Sequence, residues 1–103
     1  MTLFAVWCED SEGAPALRAE NLSAHLDHVE RNMARYRIAG PLKNSAGESA
    51  GSLLVVEAPD EDDARAFVAQ DPYHAAGVWS DVRVLELQAA AGTWVGGAAW
   101  KRG

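Results

Sequence analysis

The 103-residue sequence has one cysteine, Cys8, so no disulfide can form within the chain and its core must hold it without that staple. Such sparing use of cysteine suits a reducing cytoplasm. Basic residues are scarce too, nine against fifteen acidic ones, for a formal net charge of −6. Phosphate backbones are gripped by clustered Lys and Arg. Here the nine are scattered from Arg18 to Arg102, so no nucleic-acid partner is expected. No stretch approaches the roughly 20 apolar residues of a membrane helix. The amino terminus, Met1 to Cys8, lacks a basic start and runs straight into Glu9-Asp10, which argues against a signal peptide. A soluble cytoplasmic protein with no membrane partner is the expectation.

Apolar residues make up 49% of the chain, which is enough for one domain with a proper core and argues against disorder. Leu3 to Cys8 reads as a buried strand. From about Ala16 to Arg35 the period lengthens: Leu22, Leu26, Val29 and Met33 fall on one stripe of a helix, expected to face the core. Tyr36 to Ala39 is a short apolar run that Gly40-Pro41 should stop. A small-residue loop, Lys43 to Gly51, has the glycine content of a mobile connection, and Ser52 to Glu57 reads as the next strand, the two runs flanking the loop as in a hairpin.

Asp60 can cap a second helix whose inward stripe is Ala64, Phe67 and Val68, and Pro72 should end it near Gln70. Val82 to Leu87 closes the core as a last strand. Strand, helix, strand, strand, helix, strand is the order of a ferredoxin-like α+β sandwich, with both helices on one face of an antiparallel sheet. Residues 1–88 form that domain. Residues 89–103 are an extension whose two indoles, Trp94 and Trp100, are expected to pack on the body or on a neighbouring subunit. The open sheet face and this tail point to a homodimer.

Chemistry concentrates in two places, His25 and the run Gln70 to Trp79. Arg18, Leu22, His25 and Val29 share one side of the first helix, with His25 at the edge of the core stripe, where an imidazole can meet a ligand as a general base. It can equally be a histidine that only hydrogen-bonds at a helix edge. Asp71, held extended by Pro72, can orient an imidazole, or can merely cap the short turn that follows. Tyr73 and Trp79 read as core or wall residues. His25 and His28 are three apart and His74 is a third imidazole, but nothing gathers them, so neither a metal nor another cofactor is expected. His28 reads as solvent-facing or as a secondary polar contact, and Cys8 as a small buried hydrophobe rather than a nucleophile.

Leu17-Arg18 with His25-Leu26 seven residues past the arginine, Ala39-Gly40-Pro41-Leu42, Gly51-Ser52, and Asp71-Pro72-Tyr73 with Ala76-Gly77-Val78-Trp79 together resemble the YciI-like (YCII-related) family of small bacterial proteins, over about residues 3 to 87. The resemblance implies a ferredoxin-like subunit paired into a dimeric α/β barrel and a histidine/aspartate centre carried by His25 and Asp71. Loss of hydrogen chloride from a chlorinated hydroxyquinol is associated with the family, and that substrate does not transfer to this chain. The expected function is a lyase or isomerase that moves protons on a small organic substrate. Arg18 would hold an anionic or oxygen-rich part of it, the Gly40-Pro41 turn would shape the pocket, and Ser52 and Tyr73 would complete the substrate contacts. The competing reading is a non-catalytic metabolite-binding or accessory module, since this fold hosts many functions.

Overall fold

Four strands and three helices make the body, and each boundary has a local cause. A computed structural model describes residues 1–101; the end of the expected extension, Arg102 and Gly103, lies outside the described residues. Strand β1 (Thr2–Asp10) leads to helix α1 (Ala14–Arg31), which Pro15 opens in its first turn and a 3₁₀ turn, Met33–Arg35, follows. Strands β2 (Tyr36–Lys43) and β3 (Ser49–Ala58) form a hairpin. Helix α2 (Glu61–Ala69) is capped by Asp60, whose carboxylate accepts the Asp63 N–H at 2.8 Å. Helix α3 (Pro72–Ala76) ends at Gly77, whose φ of 81° is the left-handed region that glycine occupies without strain. Strand β4 (Trp79–Leu87) completes the sheet.

The strands lie in the order β2-β3-β1-β4, antiparallel throughout. This is the ferredoxin-like α+β fold that the element order predicts. Phe4, Val6 and Cys8 alternate inward along β1, facing Leu54, Val56 and Ala58 of β3 and Val84 of β4. Ala64, Phe67 and Val68 of α2 close over them, as their spacing predicts. Full burial of a side chain such as Phe67 or Val56 contributes roughly 1.5–3 kcal/mol each. The opposite sheet face is open and largely apolar: Trp7, Ile38, Leu53, Leu85 and Leu87 are all exposed there.

Several expectations need correction. Gly40-Pro41 does not stop a strand: β2 runs through both residues to Lys43. It is an edge strand, bonded only to β3, so Pro41 can turn its donorless nitrogen away from the ladder. The Lys43 to Gly51 loop shrinks to a hairpin turn in which Asn44 Oδ1 accepts the N–H groups of Ala46 and Glu48 at 2.9 and 3.0 Å. The stripe Leu22, Leu26, Val29 and Met33 does not face the core; Leu22, Leu26 and Met33 are about half exposed. Of the two expectations for His28 the solvent-facing one fails, since the residue is buried, with its carbonyl accepting from Asn32 Nδ2 at 2.8 Å.

One rotation of α1 explains the last two. Its sheet-facing stripe is Ala14, Arg18, Asn21, His25 and His28, because α1 leans on α3 and leaves the β2 side uncovered. Beyond the body, residues 91–98 form a small hairpin, β5 (Ala91–Gly92) with β6 (Gly97–Ala98). Trp94 in its turn and Trp100 just beyond it are 83% and 72% exposed. The radius of gyration, 14.6 Å, exceeds the roughly 13 Å of a compact chain of this length, as expected when an arm stands off the body.

Candidate functional site

The uncovered side of α1 opens a cleft of about 260 Å³ above the inner face of β2 and β3. Leu22, Leu26 and Val29 of α1 form one wall, Ala39, Gly40 and Pro41 of β2 the other, and Ser52 and Leu54 of β3 the floor. Arg18, His25 and Tyr73 supply its polar and aromatic end. Gly40 contributes only backbone. It pairs with Leu53, whose side chain faces the opposite side of the sheet, and a Cβ built on Gly40 meets nothing within 4 Å.

His25 Nδ1 lies 2.8 Å and 3.0 Å from the two carboxylate oxygens of Asp71, across 46 residues of sequence. The same Asp71 Oδ1 accepts the Tyr73 backbone N–H at 2.9 Å as the N-cap of α3. Asp71 therefore contacts the imidazole and caps the helix at once. Pro72 makes them compatible: it fixes Asp71 in an extended conformation (φ −68°, ψ 130°) that aims the carboxylate back over the helix start. Asp71 is 1% exposed. A carboxylate can only accept, so the imidazole donates from Nδ1, and in its neutral form Nε2 carries the free lone pair.

Arg18, two turns before His25 on α1, does not stand free. Its Nε and Nη2 donate to Asp10 Oδ2 and Oδ1 at 3.0 and 2.8 Å, a bidentate pair. Nη2 also reaches Ser52 Oγ at 3.0 Å and the Gly51 carbonyl at 3.2 Å. Ser49 Oγ donates to Asp10 Oδ2 at 3.0 Å. The guanidinium is thus largely neutralised, and it ties α1 to the ends of β1 and β3. Gly51 is indispensable here, because a Cβ on it would lie 2.3 Å from the Cys8 carbonyl oxygen.

Three rings and a cation order the polar end. The Tyr73 ring stacks on the His25 imidazole, with centroids 3.8 Å apart and planes within 3° of parallel. Trp79 meets Tyr73 edge-on at 6.0 Å, and the Arg18 guanidinium sits 5.3 Å from the Tyr73 ring centre. Burial raises the Tyr73 phenol above its usual range, as does the Asp71 charge, against the opposing pull of Arg18. Burial, and then Asp71, push the Cys8 thiol up to about 12, which makes it a poor nucleophile. Tyr36 is raised in the same way.

Six of the seven predicted site residues, Arg18, His25, Gly40, Pro41, Ser52 and Tyr73, line the one cleft, and Asp71 stands behind His25. Among the described residues, no group of three or more His, Cys, Asp or Glu is gathered so as to hold a metal ion. The sequence reading missed Asp10 and the apolar walls. The signal for Asp10 was a carboxylate ending the first apolar run just before the helix that carries Arg18.

A family model described as the YCII-related domain matches residues 2–88. The chain belongs to that family. No curated protein sequence matches it. Among solved structures it is similar to 5-chloro-2-hydroxyhydroquinone dehydrochlorinase from Burkholderia phenoliruptrix in complex with 2,5-dihydroxybenzoquinone, with 28% identity and a TM-score of 0.77, over 88% of this chain and 96% of that one. A dimeric ferredoxin-like protein of unknown function from Jannaschia is 17% identical, with a TM-score of 0.45 over 85% and 99% of the two chains. Membership of the YCII-related family and the likeness to a dehydrochlorinase fit an enzyme of small molecules. No helix among the described residues is long and apolar enough to cross a membrane.

Proposed function

We propose that this protein is a cytoplasmic lyase or isomerase that moves a proton on a small organic substrate, with His25 as the base and Asp71 as its partner. The observation that carries the reading is the 2.8 Å contact between a buried carboxylate and an imidazole on the wall of an apolar cleft. Asp71 fixes the tautomer and stabilises the cation formed when Nε2 takes a proton. In an elimination, the electrons of the broken bond to hydrogen flow into a new double bond. The leaving group departs with its own bonding pair, and water recovers the proton from the imidazolium.

Asp10 satisfies much of Arg18, so the cleft suits a neutral or weakly acidic, oxygen-bearing molecule better than a dianion. Arg18, Ser52 and Tyr73 would meet its polar edge, and Gly40 and Pro41 its apolar one. Proton transfer of this kind needs no cofactor. Chlorinated hydroxyquinols are the first substrates to try, because the similar dehydrochlorinase acts on one. Chloride release by the wild type that vanishes in a folded His25→Ala variant supports the reading. Unchanged turnover by that variant discards His25 as the base, and binding without turnover across the panel favours a metabolite-binding or accessory module.

The same reading includes a homodimer. The apolar sheet face is open, and the arm after residue 88 carries Lys101 and Arg102 but no Asp or Glu, whereas all fifteen acidic residues precede it. A second copy offers that arm a surface of opposite charge, on which Trp94 and Trp100 would pack. A monomer by light scattering at micromolar concentration removes this part.

A further inference from the structure

We propose that Tyr73 is a positioning residue for His25: its ring fixes the plane of the imidazole and thereby the direction in which Nε2 addresses the cleft. The inference rests on the reading of His25 as the base for its catalytic consequence, though not for its geometry. Asp71 alone cannot fix that direction. The Cβ bond and the Nδ1 hydrogen bond hold one edge of the ring and leave it able to tilt about that edge, and a tilt swings Nε2, on the far side of the ring, the most. A second restraint has to act on the plane.

The ring of Tyr73, 3.8 Å away and within 3° of parallel, supplies it. Tyr73 is itself held from several sides. Its backbone N–H is bound by Asp71, Trp79 meets it edge-on, and Arg18 lies over the ring. The residue is 3% exposed, and the cleft opens beside the stack. One short segment, Asp71-Pro72-Tyr73, therefore sets both the tautomer and the plane of a histidine 46 residues away. The phenol hydroxyl is no part of this role. It makes only a long contact, 3.4 Å, to the Arg18 carbonyl.

The test needs no substrate. Long-range nitrogen–proton NMR of the full-length protein reports the His25 tautomer, and its carbon-bound ring protons report the stack through the ring current of the neighbour. Wild type and Tyr73→Phe are expected to show these protons displaced upfield and a single Nδ1–H tautomer. Tyr73→Leu, or Tyr73→Met should the leucine variant fail to fold, is expected to lose the displacement and, with Asp71 still in place, to keep the Nδ1–H tautomer while its ring-proton signals broaden or multiply. A wild-type His25 with no ring-current displacement overturns the proposal, as does a Leu or Met variant whose His25 ring-proton signals stay as sharp and single as those of the wild type.

Once a substrate is in hand, kcat of the Leu variant should fall about 10–100-fold with KM nearly unchanged, since misplacing a reacting group by an ångström costs on that order. A Leu variant whose kcat is unchanged, or whose loss lies in KM alone, overturns the plane-setting role. An intact stack with no turnover of any substrate would discard catalysis while leaving the positioning in place. The two failures are thus separable.

Discussion

Replacing Asp71 by Asn and by Ala should rank the variants differently for stability and for activity. One oxygen, Oδ1, serves both the His25 imidazole at 2.8 Å and the Tyr73 N–H at 2.9 Å. An asparagine that keeps its oxygen there preserves both contacts, and Asn caps a helix about as well as Asp. Asp71→Asn should therefore cost about 1 kcal/mol or less. Alanine removes the cap, worth about 0.5–2 kcal/mol, and the hydrogen bond between a charged group and an imidazole, worth roughly 1.5–3 kcal/mol. The loss for Asp71→Ala should be about 2–4 kcal/mol, allowing for the partial exposure of His25.

For proton transfer the order collapses. Neither variant carries the negative charge that stabilises an imidazolium, so both should lose on the order of 100-fold or more in turnover. Urea unfolding monitored by tryptophan fluorescence supplies the first ranking, and initial rates on an identified substrate the second. Two results would refute the reasoning. An Asn variant with wild-type turnover shows that the charge is not used. An Asn variant as unstable as the Ala variant shows that the carboxylate charge holds the fold, rather than the oxygen position.

Gly51→Ala should destabilise the fold by roughly 1–3 kcal/mol and loosen Arg18, because the added carbon meets the Cys8 carbonyl; an unchanged urea midpoint would contradict the close approach. His28 is buried with Nε2 lacking a partner, so His28→Leu should be neutral or stabilising by up to about 1 kcal/mol, and a loss above about 2 kcal/mol would mean that its ring is needed. Stability should fall as pH rises from about 9 towards 12. In that window the unfolded Cys8 gives up its proton, from a usual value of 9.0, while the folded thiol, pushed up to about 12, keeps it. Urea midpoints between pH 8 and pH 11 check this, and a Cys8→Ala variant should show a shallower decline.

How much of the fold was legible follows from how local its causes are. Asp60, the Ala64-Phe67-Val68 stripe and Pro72 mark α2 by capping and periodicity alone, and α2 is where they put it. Asp71-Pro72 likewise announces a cap, and α3 starts there. The course of β2 through Gly40-Pro41 was illegible for a different reason. Proline breaks a strand that is paired on both sides and is tolerated at an edge, and which strand lies at the edge is a property of the whole sheet. The reach of Asp10 to Arg18 is also tertiary, since it depends on the end of β1 lying beside the first turns of α1.

The misreading of α1 has the most general cause. An apolar stripe at helical spacing is taken to face the core, because burial of apolar area stabilises a fold wherever it can. Here Leu22, Leu26 and Met33 stay about half exposed, while the stripe turned to the interior is Arg18, Asn21, His25 and His28. That arrangement is tolerable only because the polar atoms on it are mostly satisfied: Arg18 by Asp10 and Ser52, Asn21 by the Leu17 carbonyl, His25 by Asp71. The helix is held inward by hydrogen bonds and ion pairs that the sequence does not display, so its leucines turn towards the cleft and become its wall. Hydrophobic periodicity located the helix correctly and mistook its rotation, and the rotation is what opens a cavity beside His25.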